Sequence, residues 1–298
     1  MSDPTRAGYV TLSGRPNVGK STLLNKILRH KLCITSHKPQ TTRHSILGIH
    51  TEGNHQLVLI DTPGMHNNQN NHLNRRMNRT ANAATADADV VLFVVEAGVW
   101  TDMDAHALDV VKQSGCKQIA LVVNKIDQMK SMEELLPFLK EIGALYDFCF
   151  VVPLSAKNGR NVQALLGEVF PRLPESEFIF AEDALTDKSE RFLIAEIVRE
   201  QLLRMLHKEL PYTTSVEVEE FQYDEEGKLN LAVTIWVARK GQKAIVIGKG
   251  GSMLKDIGTR ARIEIGKQFD CRVYLETWVK VRENWTDDER ALRSFGYD

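Results

Sequence analysis

Two loops rich in glycine and lysine carry the residues of this sequence best suited to binding phosphate. The first reads "GRPNVGKST" over residues 14–22 and fits the pattern G-x-x-x-x-G-K-[ST]. Its glycines let backbone N–H groups surround phosphate oxygens, Lys20 supplies a positive charge, and the Ser21 hydroxyl can ligate Mg²⁺. The residues predicted to form this site are Gly14, Arg15, Pro16, Asn17, Val18, Gly19, Lys20, Ser21 and Thr22.

A second motif, "DTPG", follows the apolar run "LVLI" and covers residues 61–64. Its position after a predicted strand places Asp61 at the edge of a sheet, where a carboxylate can hold the Mg²⁺ shell through water. The residues predicted to lie near the phosphates are Asp61, Thr62, Pro63, Gly64 and Met65.

Two later motifs, "NKID" and "SAK", also follow apolar runs and suit the recognition of a purine base. The Asp127 carboxylate can accept two parallel hydrogen bonds from the N1–H and 2-amino groups of guanine, and adenine offers no such pair. We expect Asn124 to tie this loop to the phosphate loop, the Lys125 stem to cover the base, and a backbone N–H of "SAK" to reach guanine O6. The predicted base-binding residues are Asn124, Lys125, Ile126, Asp127, Ser155, Ala156 and Lys157.

The second glycine loop, "VIGKGGSMLKDIG" at residues 246–258, does not fit the first pattern. It contains G-x-x-G at Gly248–Gly251, between an apolar run and a helical pattern. Seven basic residues and one acid, Asp256, lie between residues 238 and 262. Such a patch strengthens binding to nucleic acid at low salt. A glycine helix cap and a solvated helix face are the structural alternatives.

The elements that must position these loops fall into two predicted domains. Over residues 1–173, runs rich in Val, Ile and Leu alternate with helical patterns, which is typical of a doubly wound, mainly parallel α/β domain. Residues 174–189 are acidic and aperiodic and are predicted to be a linker. Residues 190–298 read helix, strand, strand, helix, helix, strand, which predicts a second, smaller α/β domain.

The overall composition of the 298 residues, 43% hydrophobic with a formal net charge of −1, is that of a globular protein. Its apolar runs are too short to cross a bilayer, and the N-terminus lacks the apolar stretch of a signal peptide. The cysteines Cys33, Cys116, Cys149 and Cys271 lack paired metal spacing. We expect reduced thiols and an intracellular protein.

Taken in order, the first four motifs resemble the G motifs of GTPases, and the pattern around residues 246–257 resembles a KH domain. With "TTRH", "GIHTEG", "ELPY" and the tail "WVKV", they make nearly the whole chain resemble the family of bacterial ribosome-assembly GTPases that carry a KH domain. The resemblance implies GTP and GDP as ligands, Mg²⁺ as cofactor, and GTP hydrolysis. It also implies RNA contacts, here expected at Lys243, Ile247, Gly248, Lys249, Gly250, Gly251 and Lys255.

The same resemblance implies the partners and the location of the protein. The partners are the 3′ region of 16S rRNA and the small ribosomal subunit, with a role in ribosome biogenesis. The protein is expected to be a monomer in the cytoplasm, with peripheral association at the inner membrane. The amphipathic helix at 191–210 is a candidate for that association, and core packing is its alternative use.

Three details of the nucleotide site stay open at this level. Thr41 and Thr42 both lie where a Mg²⁺-ligating threonine is needed, and the resemblance favours Thr42. Met65 stands where Ras-like GTPases carry a glutamine that orients water, so we expect slow hydrolysis. The position of Asn17 matches that of a K⁺-binding asparagine in several GTPases with a hydrophobic residue at the glutamine site. An asparagine there can equally serve to shape the loop.

We therefore predict a molecular switch in which GTP orders the loops around Thr42 and residues 61–65, and hydrolysis releases them. The nucleotide state would then control RNA binding by the KH domain. One alternative is a GTPase whose second domain binds protein or membrane. Another is a small-molecule kinase, which would have to tolerate ATP.

Overall fold

The computed structural model describes residues 4–36, 38, 41–63, 72–131, 133–207 and 210–296. Within these residues the chain divides into two compact units. The first unit comprises described residues from 1–33, 42–69 and 77–187, and the second comprises those from 34–41, 70–76 and 188–298. Within the same residues, no helix is both long enough and apolar enough to cross a membrane.

The first unit is built on a mainly parallel sheet with the strand order β2-β3-β1-β4-β5-β6, in which only β2 runs antiparallel to its neighbour. Its strands are β1 (Arg6–Ser13), β2 (Ile46–Glu52), β3 (His55–Asp61), β4 (Val90–Glu96), β5 (Ile119–Asn124) and β6 (Val151–Pro153). The central strands β4 and β5 are buried almost throughout, because helices cover both faces of a doubly wound sheet. The predicted fold class is confirmed.

The helices of the first unit bury the apolar faces that the sequence predicts, such as Leu23, Leu24 and Ile27 on the first of them. They are α1 (Lys20–Leu28), the larger part of α2 (His72–Ala86), α3 (Asp102–Gln113), α4 (Leu135–Gly143) and α5 (Val162–Val169). Helix α2 has no counterpart in the sequence prediction, because the polar stretch "HNNQNNHLN" at residues 66–74 favours a mobile switch or an ordinary surface loop. Residues 66–71 lie outside the described residues, and 72–74 are helical.

The units of the structure differ from the predicted domain boundaries. The predicted linker, residues 174–189, belongs to the first unit as far as residue 187. The Gln56 side-chain oxygen accepts hydrogen bonds from the backbone N–H groups of Ile179 and Phe180, at 2.8 and 2.9 Å. These contacts and a backbone bond from Ile49 to the Leu185 carbonyl make the segment a surface layer of the first unit.

The second unit packs helices on one face of a three-stranded sheet with the order β7-β8-β9. Strand β8 is antiparallel to β7 and parallel to β9. The elements are α6 (Glu190–Met205), β7 (Thr214–Tyr223), β8 (Leu229–Val237), α7 (Lys240–Ile247), α8 (Ser252–Gln268), β9 (Val273–Val281) and α9 (Glu289–Ser294). Their core is formed by apolar residues of α6, α8 and the sheet, so this order matches the sequence prediction apart from α9.

Helix α6 is buried on its polar side as well as on its apolar side. Glu196, Arg199 and Glu200 are almost fully buried, and Arg199 forms a bidentate ion pair with Glu196 at 2.6 and 2.7 Å. In the same unit, several described residues of the segment 34–41 contact this helix. The Lys38 ammonium donates to the carbonyls of Leu203 and Leu206 at the helix C-terminus, where a cation is favoured. This burial favours core packing over a membrane role for the helix.

The tail of the chain closes the second unit around Trp285. The indole is fully buried, its Nε1–H donates to the Thr213 carbonyl at 3.0 Å, and its ring contacts that of Phe295 edge to face. The tail therefore contributes both apolar burial and a satisfied hydrogen bond to this unit.

Replacing Trp285 with alanine should lower the free energy of unfolding of the second unit by about 3–5 kcal/mol, because it removes a large buried side chain. Trp278→Ala is the matched control, since Trp278 is 45% exposed on β9, and it should cost less than about 1 kcal/mol. Hydrogen exchange of the amides of Leu229–Val237 reports the difference. Equal losses of protection in the two variants would contradict this account of the core.

Candidate functional site

The parallel strands of the first unit bring the predicted motifs to one edge of the sheet. Strand β1 ends at Ser13, β3 at Asp61 and β5 at Asn124, and the loop after each begins at the same side. Strand β1 lies between β3 and β4, which is the point where the strand order reverses. Ligands of open α/β sheets bind at such a point, beyond the carboxyl ends of the strands.

The first glycine loop needs glycine at two positions because neighbouring groups come very close. Gly14 has φ +140° and Gly19 has φ +102°, both in the region that disfavours side chains. A Cβ on Gly14 would lie 2.3 Å from the Val94 carbonyl oxygen, and one on Gly19 would lie 2.3 Å from Asn124 Nδ2. The loop is therefore packed between β4 and the base-binding loop. Its backbone shape depends on both glycines.

Lys20 is held inside this loop. Its ammonium donates to the carbonyls of Gly14 and Arg15, each at 2.8 Å. Burial lowers the pKa of Lys20 to about 8, although the negative charge of Asp61 opposes that shift. An anionic ligand beside the ammonium would favour its charged form, so the site is suited to phosphate.

Three oxygen-bearing side chains meet next to the loop. The Ser21 hydroxyl donates to Asp61 Oδ2 at 2.7 Å, and the Thr42 hydroxyl lies 3.1 Å from the same oxygen and 2.9 Å from Ser21 Oγ. The other carboxylate oxygen, Asp61 Oδ1, is buried without a hydrogen bond among the described residues. Burial raises the pKa of Asp61, against the hydrogen bond from Ser21 and the charge of Lys20. Two hydroxyls and a carboxylate with an open oxygen fit Mg²⁺ and its water shell.

The remaining predicted phosphate residues are placed as follows. Thr41 turns away from this cluster, and its hydroxyl donates to the Lys38 carbonyl at 2.6 Å. Asn17 is exposed with φ +65°, a conformation that asparagine tolerates, which agrees with a loop-shaping role.

The Thr62 hydroxyl donates to the Leu12 carbonyl and anchors its motif to β1. Val18 is buried, Pro16 and Thr22 are partly buried, Pro63 is buried, and Gly64 and Met65 lie outside the described residues.

The base-recognition motifs are joined to the phosphate loop by Asn124. Its Nδ2 donates to the Val18 carbonyl at 2.8 Å, and its Oδ1 accepts from the Ala156 backbone N–H at 2.9 Å. The side chain of Asn124 therefore links all three loops, where the sequence predicted a link to the phosphate loop alone. The Ala156 N–H, a candidate for guanine O6, is engaged in this link.

Asp127 follows Asn124 on a 3₁₀ turn and is exposed at the surface, with the Ser155 hydroxyl donating to its Oδ1 at 2.5 Å. That hydroxyl restrains the carboxylate, and Oδ2 has no partner among the described hydrogen bonds. Ile126 is buried beneath the turn, and Lys157 is exposed beside it. A carboxylate presented in this way can accept the two donors of a guanine edge.

The structure adds two acids that the sequence analysis missed, Glu96 and Asp104. The side chain of Arg15 binds two acids outside the phosphate loop: its Nε donates to Asp104 Oδ2 and its Nη2 to Glu96 Oε2, each at 2.9 Å. The Lys125 ammonium donates to the same Glu96 oxygen at 2.9 Å. Burial raises the pKa of Glu96, but the hydrogen bonds from Lys125 and Arg15 outweigh it and hold the pKa below its usual value. The sequence signal that could have identified Glu96 is its position directly after the apolar run "VVLFVV".

The second glycine loop joins α7 to α8 in the second unit. Gly248, Gly250 and Gly251 all have positive φ, and a Cβ on Gly248 would lie 2.7 Å from Met253 Cβ. The backbone between the two helices is thus an exposed turn at the N-terminus of α8, a suitable place for an anionic strand. The apolar run before the loop is helical.

The surface around this loop is strongly basic. Lys249 and Lys255 are exposed, while Lys243 and Ile247 are partly buried. None of the basic residues of 238–262 forms an ion pair with any residue that the structure describes; they are Arg239, Lys240, Lys243, Lys249, Lys255, Arg260 and Arg262. Cations without acidic partners are available to phosphates.

Comparison with known families separates the same two regions. The family described as 50S ribosome-binding GTPase matches residues 9–125, and the KH domain family matches residues 209–286. A curated relative from Stenotrophomonas maltophilia (strain R551-3), GTPase Era, is 50% identical over 296 residues, which cover 99% of this chain and 98% of the relative. The chain belongs to the GTPase Era family. The GTPase Era of Xanthomonas axonopodis pv. citri (strain 306) is 48% identical over 298 residues, covering 100% and 99% of the two chains.

Two solved Era structures are similar over almost the whole chain. One is an Aquifex aeolicus Era variant bound to GDP·AlF₄⁻, with a TM-score of 0.94 and 37% identity, covering 98% of this chain and 99% of that one. The other is Era in complex with MgGDPNP and nucleotides 1506–1542 of 16S ribosomal RNA, with a TM-score of 0.93, 37% identity and the same coverage. Membership of the Era family confirms the resemblance found in the sequence and favours GTP hydrolysis over the kinase alternative.

Replacing Asp127 with asparagine should change the base preference of the site, because the amide presents a donor where guanine also presents a donor. We expect the affinity for GDP to fall by roughly a hundredfold and that for xanthosine diphosphate to rise. Competition of both nucleotides with a fluorescent GDP analogue measures the change. Asp147→Asn, away from these motifs in sequence, is the control that should leave both affinities unchanged. A variant that keeps its preference for GDP would contradict the assignment of Asp127.

Proposed function

We propose that this chain is a GTP-hydrolysing switch that binds the 3′ region of 16S rRNA on the small ribosomal subunit and acts in ribosome biogenesis. The nucleotide state of the first unit would control RNA binding by the second. The observation that carries the proposal is the coexistence, in one chain, of an ordered guanine-nucleotide site and a basic G-x-x-G loop in a KH fold.

The RNA part of the proposal is supported by the turn at Gly248–Gly251, where Lys249 and Gly250 are exposed, and by the surrounding cations, which form no ion pair with the part of the chain that the structure describes. Glycines allow the sugar-phosphate backbone of unpaired RNA to approach closely, and a KH module clamps about four nucleotides in this way. Ile245 on α7 and Ile263 on α8 are exposed apolar side chains on the two flanking helices, and they offer contact surface for bases. The related Era structure that contains nucleotides 1506–1542 of 16S rRNA supports ribosomal RNA as the class of RNA.

The coupling part is supported by the path of the chain at Thr41 and Thr42. Thr42 belongs to the first unit, and its hydroxyl joins Ser21 and Asp61 at the proposed Mg²⁺ site. The residues just before it belong to the second unit, where Arg199 donates to the Thr41 carbonyl and Lys38 is bound to the end of α6. Loss of the γ-phosphate would release Thr42 from the metal. The preceding segment of the second unit would then be held only by its contacts with α6 and no longer by Thr42 as well.

The catalytic details extend this proposal. Ser21 and Thr42 would hold Mg²⁺ directly and Asp61 would hold it through water, so that the ion can neutralise charge on the phosphates. Asn17 is proposed to help hold a K⁺ ion, on the resemblance alone. Met65 carries no group that can orient water, and slow intrinsic hydrolysis is therefore proposed.

The alternative second-domain functions, protein binding and membrane binding, lack a comparable surface argument. We propose a monomer in the cytoplasm with peripheral association at the inner membrane, which rests on the resemblance alone. The burial of α6 removes the helix that the sequence offered as a membrane contact. Binding to RNA is thus the function that the described surface of the second unit supports best.

Exchanging Gly250 and Gly251 together for aspartate should abolish most RNA binding. A Cβ at either glycine meets no atom within 4 Å, and aspartate adopts the positive φ of both positions more readily than most residues, so the fold should survive while two negative charges face the phosphates. We expect affinity for an RNA with the 16S 3′ sequence to fall by at least about tenfold, since like charges at an interface cost several kcal/mol. Filter binding at fixed salt measures the change.

The matched control for this experiment is Gly227→Asp in the turn between β7 and β8. Gly227 also has a positive φ and open space around it, yet it lies outside the G-x-x-G loop. It should bind RNA as the unmodified chain does. Unchanged binding by the double aspartate variant would favour the protein- or membrane-binding alternative.

Binding to purified small subunits should differ between the GTP-bound, GDP-bound and nucleotide-free chain. Lys38→Met removes a cation from the end of α6 without altering a nucleotide contact, so it should reduce the difference between the states while leaving GDP affinity within about twofold. Cosedimentation measures the binding, with Lys140→Met on the exposed side of α4 as control. Equal binding in all three states by the unmodified chain would remove the proposed coupling.

A further inference from the structure

We propose that Glu96 is a positioning residue of the nucleotide site, which sets the lifetime of bound guanine nucleotide by fixing Lys125 and Arg15 at once. This inference rests on the proposed assignment of the base site. Glu96 belongs to none of the four sequence motifs, because it lies at the end of β4, between "DTPG" and "NKID" in the chain.

The geometry of the cluster carries the inference. Lys125 Nζ and Arg15 Nη2 both donate to one oxygen, Glu96 Oε2, at 2.9 Å each. Arg15 is bound a second time, by Asp104, whose side chain is fully buried and also accepts from the backbone and hydroxyl of Thr101. Glu96 itself is 20% exposed. A single carboxylate therefore links the phosphate loop to the base loop, and Asp104 anchors the linked pair to α3.

The physical consequence concerns Lys125 first. The side chain of this residue is only 23% exposed and its ammonium is bound to Glu96, so the carboxylate fixes the end of the stem before any ligand arrives. A lysine that is ordered in advance loses no rotamer freedom when a base slides beneath its stem. Without the carboxylate that entropy would be lost on binding, and two cations would face each other with no charge between them.

The expected effect falls on release of the nucleotide. Glu96 has no contact with Lys20, Ser21 or Asp61 among the described hydrogen bonds, so the reacting phosphates should not sense its loss directly. The entropy of one long side chain corresponds to roughly a tenfold change in affinity. Because changes within one site act mostly on dissociation, GDP release should become roughly tenfold faster while capture changes little.

The test uses the full chain and a fluorescent GDP analogue followed by stopped flow. Glu96→Gln should release GDP roughly tenfold faster, with the association rate within about twofold of the unmodified chain. Glu168→Gln is the control, because it removes the same charge from an ion pair with Arg172 on the surface of the same unit. It should change none of these rates.

Several results would overturn the inference. An unchanged release rate in Glu96→Gln is one, and an equal fall in association, which a general loosening of the loops would cause, is another. Glu96→Asp keeps the charge and should release GDP more slowly than Glu96→Gln. The reverse order would contradict the electrostatic role, and Glu96→Asp alone tests release if the glutamine variant does not fold.

If Asp127→Asn alters base preference while Glu96→Gln has no effect, only this inference fails and the base site stands.

Discussion

The parallel pairing of β1 with β3 on one side and β4 on the other is the constraint on which the nucleotide site depends. In a parallel sheet all strands end at the same edge, so residues far apart in the chain become neighbours there. Ser13 leads into the phosphate loop, Asp61 ends β3 and Glu96 ends β4. The burial of the strands on both faces makes this arrangement rigid, because a shift in pairing would displace the whole apolar core.

At this edge the site is held by buried hydrogen bonds rather than by surface ion pairs. Asn124 connects the phosphate loop with both base loops, and losing a buried partner of this kind typically costs about 1–3 kcal/mol. Lys20 and Asp61 are buried with pKa values displaced towards their neutral forms. Burial therefore disfavours their charges in the protein alone, and a phosphate with its metal is the natural counterpart of both.

In the second unit the main constraint is different, because the polar face of helix α6 is buried. Glu196 and Arg199 neutralise each other on α6, and Lys38 caps the carbonyls at the end of the helix. Buried ion pairs contribute little net stability, but breaking one is costly, which makes them suited to fixing a segment in one register. In this unit the residues held on α6 include Lys38 and Thr41, and the chain continues from Thr41 into Thr42.

Local patterns in the sequence were enough for the fold class and for the motifs. Apolar runs predict buried strands, and a glycine loop or an acid after such a run predicts a site at the sheet edge, because both are properties of a few consecutive residues. Helix α2 was not predicted because its first turns are polar and rich in asparagine. Helix α9 was not predicted because it spans only six residues.

The partners of individual side chains depend on contacts between residues distant in sequence, and a local pattern of residue types does not predict such contacts. The hydroxyl of Thr42 lies beside Ser21 and Asp61, which are 21 and 19 residues away in sequence, whereas the hydroxyl of Thr41 donates to the Lys38 carbonyl. Likewise, Arg15 lies in the phosphate loop by motif, yet its side chain binds Glu96 and Asp104, 81 and 89 residues away. Packing of whole elements thus determined which of the candidate side chains meet, and the sequence alone supplied the candidates.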